Sequence, residues 1–347
     1  MSRAGSGPGA GSDARVRVLV ADDSPLFREL LARVVGDDPG FEVVGSARDG
    51  AEAARLARSL RPDVVTMDLQ MPEADGFSGI ARIMAETPTP ILVLTSLPAK
   101  AVTFKALSLG ALDLLEKPPP DADLEEYGQT LRSRLRLLAG VRVIRHPLGL
   151  RRERGASPPR GARPSVVAVG ASLGGPRALA TLLRALPGDF PVPIAVVQHI
   201  ADGFTEGLAA WLDQECDLRV AVARDGEVLE PGNVRMAPAG HHLLVGPSRT
   251  RLSDAAPIDG FRPSVTALFQ SVSEAHGHRA CGVLLTGMGR DGADGLVALR
   301  RAGGHAIVQD EATSAIFGMP RAAIEAGAAD RVLGLEEIPR ALLEMAG

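Results

Sequence analysis

From residue 15 onward, short apolar runs alternate with longer segments whose apolar positions recur every three or four residues. "RVRVLVADD" reads as a strand and "PLFRELLARVV" as a helix. "FEVVGSARDG" and "AEAARLARSL" repeat the pair, as do "PDVVTMDLQMP" and "GFSGIARIMAE". "TPILVLTS", "AKAVTFKALSLG", "ALDLLEKP" and "DLEEYGQTLRSRLRLLAG" complete the set. Periods of two residues and of 3.6 residues that alternate in this way predict strands and crossover helices. Five such strands with five helices predict a doubly wound α/β domain with a parallel sheet over residues 15–140.

The pattern then breaks. Residues 141–164, "VRVIRHPLGLRRERGASPPRGARP", carry Arg, Pro and Gly without sustained periodicity and read as an interdomain linker. A basic stripe for an acidic partner is the other reading of those arginines. From residue 165 alternation resumes, with strands expected in "SVVAVG", "IAVVQHI", "LRVAVARDGEVL", "RACGVLLTG" and "HAIVQDE". Helices are expected in "PRALATLLRAL", "FTEGLAAWLDQE", "SVTALFQSVSEAHG" and "ADGLVALRRAG". A second, larger and mostly parallel α/β domain is therefore predicted over residues 165–347. Residues 1–14, rich in Gly and Ser, read as a flexible tail.

Composition narrows the class. The chain has 347 residues, 45% hydrophobic but only 3% aromatic, so its cores must be built from Ala, Val, Leu and Ile. No run approaches the ~20 apolar residues of a membrane-spanning helix. The N-terminus lacks the apolar core of a signal peptide, and two cysteines, Cys216 and Cys281, cannot make a disulfide framework. A cytoplasmic location without membrane insertion is expected. The net charge of −4 is unevenly shared, with the second half the acidic one, which argues against nucleic acid as a partner.

In an open parallel sheet, ligands sit beyond the carboxyl ends of the strands. In the first half, Asp22 and Asp23 end the first strand, Asp68 the third, Thr95 the fourth and Lys117 the fifth. Three carboxylates brought to one edge repel unless a cation is present, and few, partly open oxygen ligands suit Mg²⁺. A lysine beside them can hold a phosphate as a point charge. Solvated loop acids are the plain reading of any one of these residues taken alone.

"ADDS", "MDLQMPEADG", "LTS" and "EKP", each at its own strand end, resemble the receiver domain of two-component response regulators. The resemblance implies that Asp68 accepts a phosphoryl group from a histidine kinase, with Mg²⁺ held by Asp22, Asp23 and Asp68. It implies phosphoryl contacts from Thr95 and Lys117, with Thr95 moving toward the phosphate as the switch. Receivers often carry an aromatic residue three positions before the lysine; here Leu114 stands there.

In the second half, "VVAVGASLGGPRALA" reads as a strand, a tight glycine turn and a helix start, with Ser172 at the bend. Three readings are open: a nucleophile on a strand-to-helix elbow, an anion loop built from backbone N–H groups, and a plain turn. His199 ends the strand "IAVVQHI" as Ser172 ends its own, and Asp291 lies in the turn "LTGMGRDGADG". A lone His there could be structural, and a lone Asp before a helix could be a cap. Together they present Ser, His and Asp at three strand ends, the set a serine hydrolase needs. Gly287 and Gly289 free nearby backbone for an oxyanion.

"GASLGGP", "QHI–GF", "APAGHH", "FRPSV" and "LTGMGRDGADG", in that order, resemble the effector domain of chemotaxis protein-glutamate methylesterases. Joined to a receiver, they make nearly the whole chain resemble the methylesterase response regulators. That resemblance implies Ser172 as nucleophile, His199 as base and Asp291 as orienting acid, with the N–H groups of Met288 and Leu173 as the oxyanion hole. Arg262 is expected to line the substrate cleft, while His241 and His242 stay open between a site role and a structural one, with the structural reading favoured. The implied substrate is a methyl ester on a glutamate of a chemoreceptor's cytoplasmic helices, with receptor glutamine as a second one. No cofactor is implied for the ester chemistry, and phosphorylation is implied to activate it. The family often has prolines after its histidine, where this chain has Ala201 and Asp202. Two rival functions remain at this point: a phosphate- or nucleotide-binding effector using the glycine loop, and a non-catalytic docking regulator.

Overall fold

The computed structural model describes residues 15–71, 75–96, 101–141, 163–201 and 203–347. The tail expected at 1–14 and nearly all of the linker expected at 141–164 lie outside the described residues, as does Asp202. The chain divides into two compact units: residues up to Leu94 with Lys117–Gly140, and Thr95–Glu116 with Val141–Gly347.

The first sheet takes β1 (Val16–Ala21), β2 (Phe41–Ala47), β3 (Val64–Met67), β4 (Ile91–Thr95) and β5 (Asp113–Glu116) in the parallel order β2-β1-β3-β4-β5. The crossovers are α1 (Pro25–Gly36), α2 (Gly50–Leu60), α3 (Gly76–Glu86) and α4 (Ala101–Ser108), followed by α5 (Leu124–Ala139). Every residue of β3 and β4 is buried, as strands covered on both faces must be. Ser24, Asp49, Asp75 and Asp123 cap α1, α2, α3 and α5 through their side-chain oxygens, so each helix start agrees with its local sequence.

The second sheet has seven parallel strands in the order β14-β13-β12-β6-β7-β9-β8. These are β6 (Val166–Ala171), β7 (Ile194–Gln198), β8 (Arg219–Val222), β9 (Asn233–Met236), β12 (Ala280–Leu284), β13 (His305–Gln309) and β14 (Arg331–Leu333). β10 (His242–Val245) and β11 (Thr250–Ser253) form a separate antiparallel hairpin. The helices are α6 (Gly175–Arg184), α7 (Thr205–Glu215), α8 (Val265–His276), α9 (Ala293–Arg301), α10 (Met319–Glu325) and α11 (Ile338–Ala346). β6 lies in the middle, and the chain leaves it first toward β7 and later returns on its other side as β12. That reversal opens a crevice at the carboxyl ends of β6, β7 and β12.

Three sequence expectations change here. "LRVAVARDGEVL" is a strand only over Arg219–Val222; its remainder leaves the sheet, and Val228 bridges Arg249 beside the hairpin. β9 and β14 were not anticipated.

Candidate active site

The ladder carries Ser172 and His199 one residue past their strands. Ala171 pairs with Gln198 in the β6–β7 register, so Ser172 and His199 are neighbours at the next position. His199 N donates to Ala171 O at 3.0 Å, and Ser172 N donates to Thr286 O at 3.0 Å. Ser172 is thus fastened to the strand on one side directly, and to the other through Ala171. Gly174 then turns the chain into α6 with φ +76°, a left-handed conformation that glycine adopts freely. On the far side, Gly287 presses against the serine: a Cβ there would come 2.8 Å from Ser172 Cβ and 2.3 Å from Met319 Sδ.

His199 Nε2 lies 2.9 Å from Asp291 Oδ2. Nδ1 is buried and has no hydrogen-bond partner among the described residues, Ser172 Oγ included. An ionised carboxylate on Nε2 requires the proton there, which leaves the lone pair on Nδ1. The ring is stacked on Phe261, with centroids 4.0 Å apart and planes 2° from parallel.

Phe261 stands at the end of a tight turn, where Ile258 and Phe261 exchange backbone hydrogen bonds of 3.1 and 2.9 Å. Asp259 (φ 49°) and Gly260 (φ 84°) between them are both left-handed, as an Asp-Gly hairpin turn requires. The buried His242 ties this loop at both ends. Its Nε2 is 3.1 Å from Ala256 O, and its Nδ1 accepts from Ser264 N at 3.2 Å. These two bonds make His242 a brace for the loop.

Asp291 collects four donors. Its Oδ1 accepts from Ser264 Oγ (2.8 Å) and Thr266 N (2.9 Å), and its Oδ2 accepts from Val265 N (2.7 Å) as well as His199. It therefore does cap a helix, but the helix is α8 rather than the α9 that follows it. Burial pushes this carboxyl up, yet the bonds from His199 and Thr266 outweigh it and hold the pKa at about 2. The partial positive charge at the start of α8 acts in the same direction. The result is a buried but firmly ionised acid against the imidazole.

Neither Leu173 N–H nor Met288 N–H has an acceptor among the described residues. Arg262, next to Phe261, is exposed and donates to Asp254 O (3.2 Å) and Ala255 O (3.3 Å).

The first sheet gathers a second cluster. One carboxylate oxygen from each of Asp22, Asp23 and Asp68 lies within 4.8 Å of the others. Asp22 and Asp68 are buried and Asp23 is exposed. Lys117 Nζ sits 2.6 Å from Asp22 Oδ2 and 2.7 Å from Asp68 Oδ2, and 4.6 Å from the centre of the Phe27 ring. Burial raises the pKa of Asp68, only partly countered by Lys117. Burial alone would lower that of Lys117, but its bonds to Asp22 and Asp68 raise it. Thr95 is buried at the end of β4. Two buried acids and one open acid, balanced by a single ammonium, fit a hard divalent cation with open coordination positions.

Family comparison separates the same two regions. The family described as CheB methylesterase matches residues 167–342, and the response regulator receiver domain family matches residues 18–128. The chain belongs to the CheB methylesterase family. A CheB-type relative from Anaeromyxobacter dehalogenans, named protein-glutamate methylesterase/protein-glutamine glutaminase 2, is 68% identical, covering 97% of this chain and 98% of its own. One from Myxococcus xanthus, bearing that name with the number 4, is 46% identical over 93% of this chain and 95% of its own. The CheB methylesterase catalytic domain of Thermotoga maritima superposes with a TM-score of 0.51 at 39% identity, covering 52% of this chain and 98% of that one. A receiver domain in a CheB protein implies Mg²⁺-dependent phosphorylation from a histidine kinase.

The CheB fold thus brings Ser172, His199 and Asp291 to one crevice, and Asp22, Asp23, Asp68 and Lys117 to another. Phe261 and Ser264 were missed as site residues. Both lie in the quoted "FRPSV" stretch, but nothing in a linear pattern says that this loop folds over the imidazole.

Proposed function

We propose that the chain is a phosphorylation-activated hydrolase that removes methyl groups from glutamate esters on the cytoplasmic helices of chemoreceptors. The observation that carries this reading is the 2.9 Å contact from His199 Nε2 to a buried, ionised Asp291, which leaves Nδ1 without a partner among the described residues, on the strand paired with that of Ser172.

Ser172 Oγ attacks the ester carbonyl carbon while His199 Nδ1 takes its proton. Asp291 stabilises the imidazolium that results. The carbonyl oxygen becomes an oxyanion facing the N–H groups of Met288 and Leu173, where one donor is worth about 3 kcal/mol. The tetrahedral species collapses, the C–O bond to methoxide breaks, and Nδ1 returns the proton so that methanol leaves. Water then attacks the acyl-serine with the same base, which releases glutamate and restores Ser172. A glutamine side chain passes through the same steps with ammonia as the leaving group. Arg262 lines the substrate cleft in this reading, and the ester chemistry needs no cofactor.

In the receiver, residues 15–140 of the proposed division, Asp68 accepts the phosphoryl group of a histidine kinase. Asp22, Asp23 and Asp68 would hold Mg²⁺, which supplies charge neutralisation at the phosphoryl oxygens when bound. Lys117 and Thr95 contact the same oxygens. The catalytic domain, residues 165–347, follows the linker. Among the described residues no helix is long and apolar enough to cross a membrane, which fits the proposed cytoplasmic setting.

The test is methanol release from methylated receptor. Wild type releases methanol faster with a phosphodonor and Mg²⁺, Asp68→Ala does not respond to the phosphodonor, and Ser172→Ala releases none. Methanol release by Ser172→Ala at the wild-type rate would remove the hydrolytic reading.

A further inference from the structure

We propose that Gln198 is a positioning residue that holds the backbone of Ser172 and His199 together at the end of the sheet. The inference rests on the roles given to those two residues above.

Gln198 is the last residue of β7, and its side chain is buried. Its Nε2 donates to Ser172 O at 2.7 Å and to His199 O at 2.8 Å. The two amide protons are therefore spent on the carbonyls of the two residues that leave adjacent strands. The ladder no longer holds either carbonyl there. Ser172 O otherwise accepts only from Gly175 N at 2.8 Å, within its own turn, and His199 O has no other donor among the described residues. One planar amide bridges the two strand ends where regular pairing stops.

The orientation of the amide follows from chemistry. Turned over, it would set Oε1 against two carbonyl oxygens. As oriented, Oε1 is buried and has no partner among the described residues. It lies directly over the backbone of Gly175: a Cβ there would be 1.9 Å from Oε1 and 2.8 Å from Cδ. The chain thus keeps an unpaired buried oxygen and a bare glycine in order to seat this amide. Departures of that kind from local satisfaction concentrate where a site must be held. A shift of the Ser172 carbonyl rotates the serine's Cα–Cβ bond away from Nδ1, so losing the bridge costs rate rather than substrate affinity.

The test uses the full chain, with active serines titrated by a fluorophosphonate and methanol release expressed per titrated serine. Gln198→Met keeps length and removes both donors; Gln198→Glu keeps shape and replaces the donors with acceptors. In both, kcat is expected to fall about tenfold or more with KM within about twofold, and fluorophosphonate labelling to slow in parallel. A lowered melting temperature with wild-type kcat per titrated serine would mean a merely structural glutamine and overturn the proposal. If neither variant yields a titratable serine, Gly175→Ala decides through the same assay. Its Cβ evicts the amide, so the same loss of kcat is expected, and an unchanged kcat overturns the proposal. Ser172→Ala runs alongside. Methanol release by that variant undoes the serine mechanism itself, an outcome distinct from failure of the Gln198 variants alone.

Discussion

Phe261 lies flat on the imidazole of His199, 4.0 Å between centroids and 2° from parallel. A ring held this way cannot turn about χ2 without displacing the phenyl group, so Nε2 stays on Asp291 and Nδ1 keeps its unpartnered position. Phe261→Leu keeps apolar bulk but loses the flat face. It is expected to lower kcat about two- to tenfold, the rate equivalent of roughly 0.5–1.5 kcal/mol, with little change in KM. Steady-state ester hydrolysis checks this, and an unaltered kcat would show that the stack does not restrain His199.

Asp291→Asn removes the charge that stabilises the imidazolium and, through the amide's own N–H groups, invites the wrong tautomer. A loss in kcat of about 10³–10⁴-fold is expected on the pattern of Ser-His-Asp enzymes. Rapid-quench or steady-state assays of methanol release read this directly.

The same carboxyl makes the second unit acid-sensitive. Its folded pKa of about 2 lies below the ordinary carboxylate value. The stabilisation is therefore complete above about pH 4 and is lost as the pH falls toward 2, on the order of 2 kcal/mol in all. Urea melts of wild type and Asp291→Asn should differ by a constant amount above about pH 4 and converge below it. A gap that widens on acidification would contradict the assignment.

Gly287 leaves no room beside Ser172. Gly287→Ala puts a methyl group 2.8 Å from Ser172 Cβ and 2.3 Å from Met319 Sδ. A serine displaced by even about 1 Å can cost 10²-fold in rate, so kcat should fall by about that much. Gly226→Ala is the control: φ is +70°, but nothing lies within 4 Å of a Cβ there. It should lower the melting temperature and leave kcat alone.

In the receiver, Lys117 balances Asp22 and Asp68 at 2.6 and 2.7 Å. Mg²⁺ should raise the melting temperature, by the equivalent of about 2.7 kcal/mol at a hundred times its dissociation constant. Asp23→Asn, at the exposed carboxylate, should weaken that response. Lys117→Met should enlarge it, because the cation then replaces a missing charge. A Mg²⁺ response equal in all three proteins, read by thermal melting, would place the metal elsewhere.

The alternation of apolar and periodic segments was enough to determine two doubly wound α/β domains and to put Ser172, His199, Asp22, Asp23, Asp68, Thr95 and Lys117 at strand ends. Both follow from local physics: a buried parallel strand must be a short apolar run, and a crossover helix must show one apolar face. The acidic cluster was legible for the same reason, since its members sit at the ends of strands that pair directly or through one neighbour. Tertiary structure alone decided which groups complete the crevice. Asp291 takes three of its four hydrogen bonds from Ser264, Val265 and Thr266, some 25 to 27 positions earlier in the chain. Phe261 reaches His199 from a loop 62 residues away in numbering, anchored by His242 on a hairpin outside the main sheet. Such contacts depend on how α8 and its preceding loop pack over the ends of β6 and β7. That packing is set by shape and burial summed over many residues, and no periodicity along the chain encodes it.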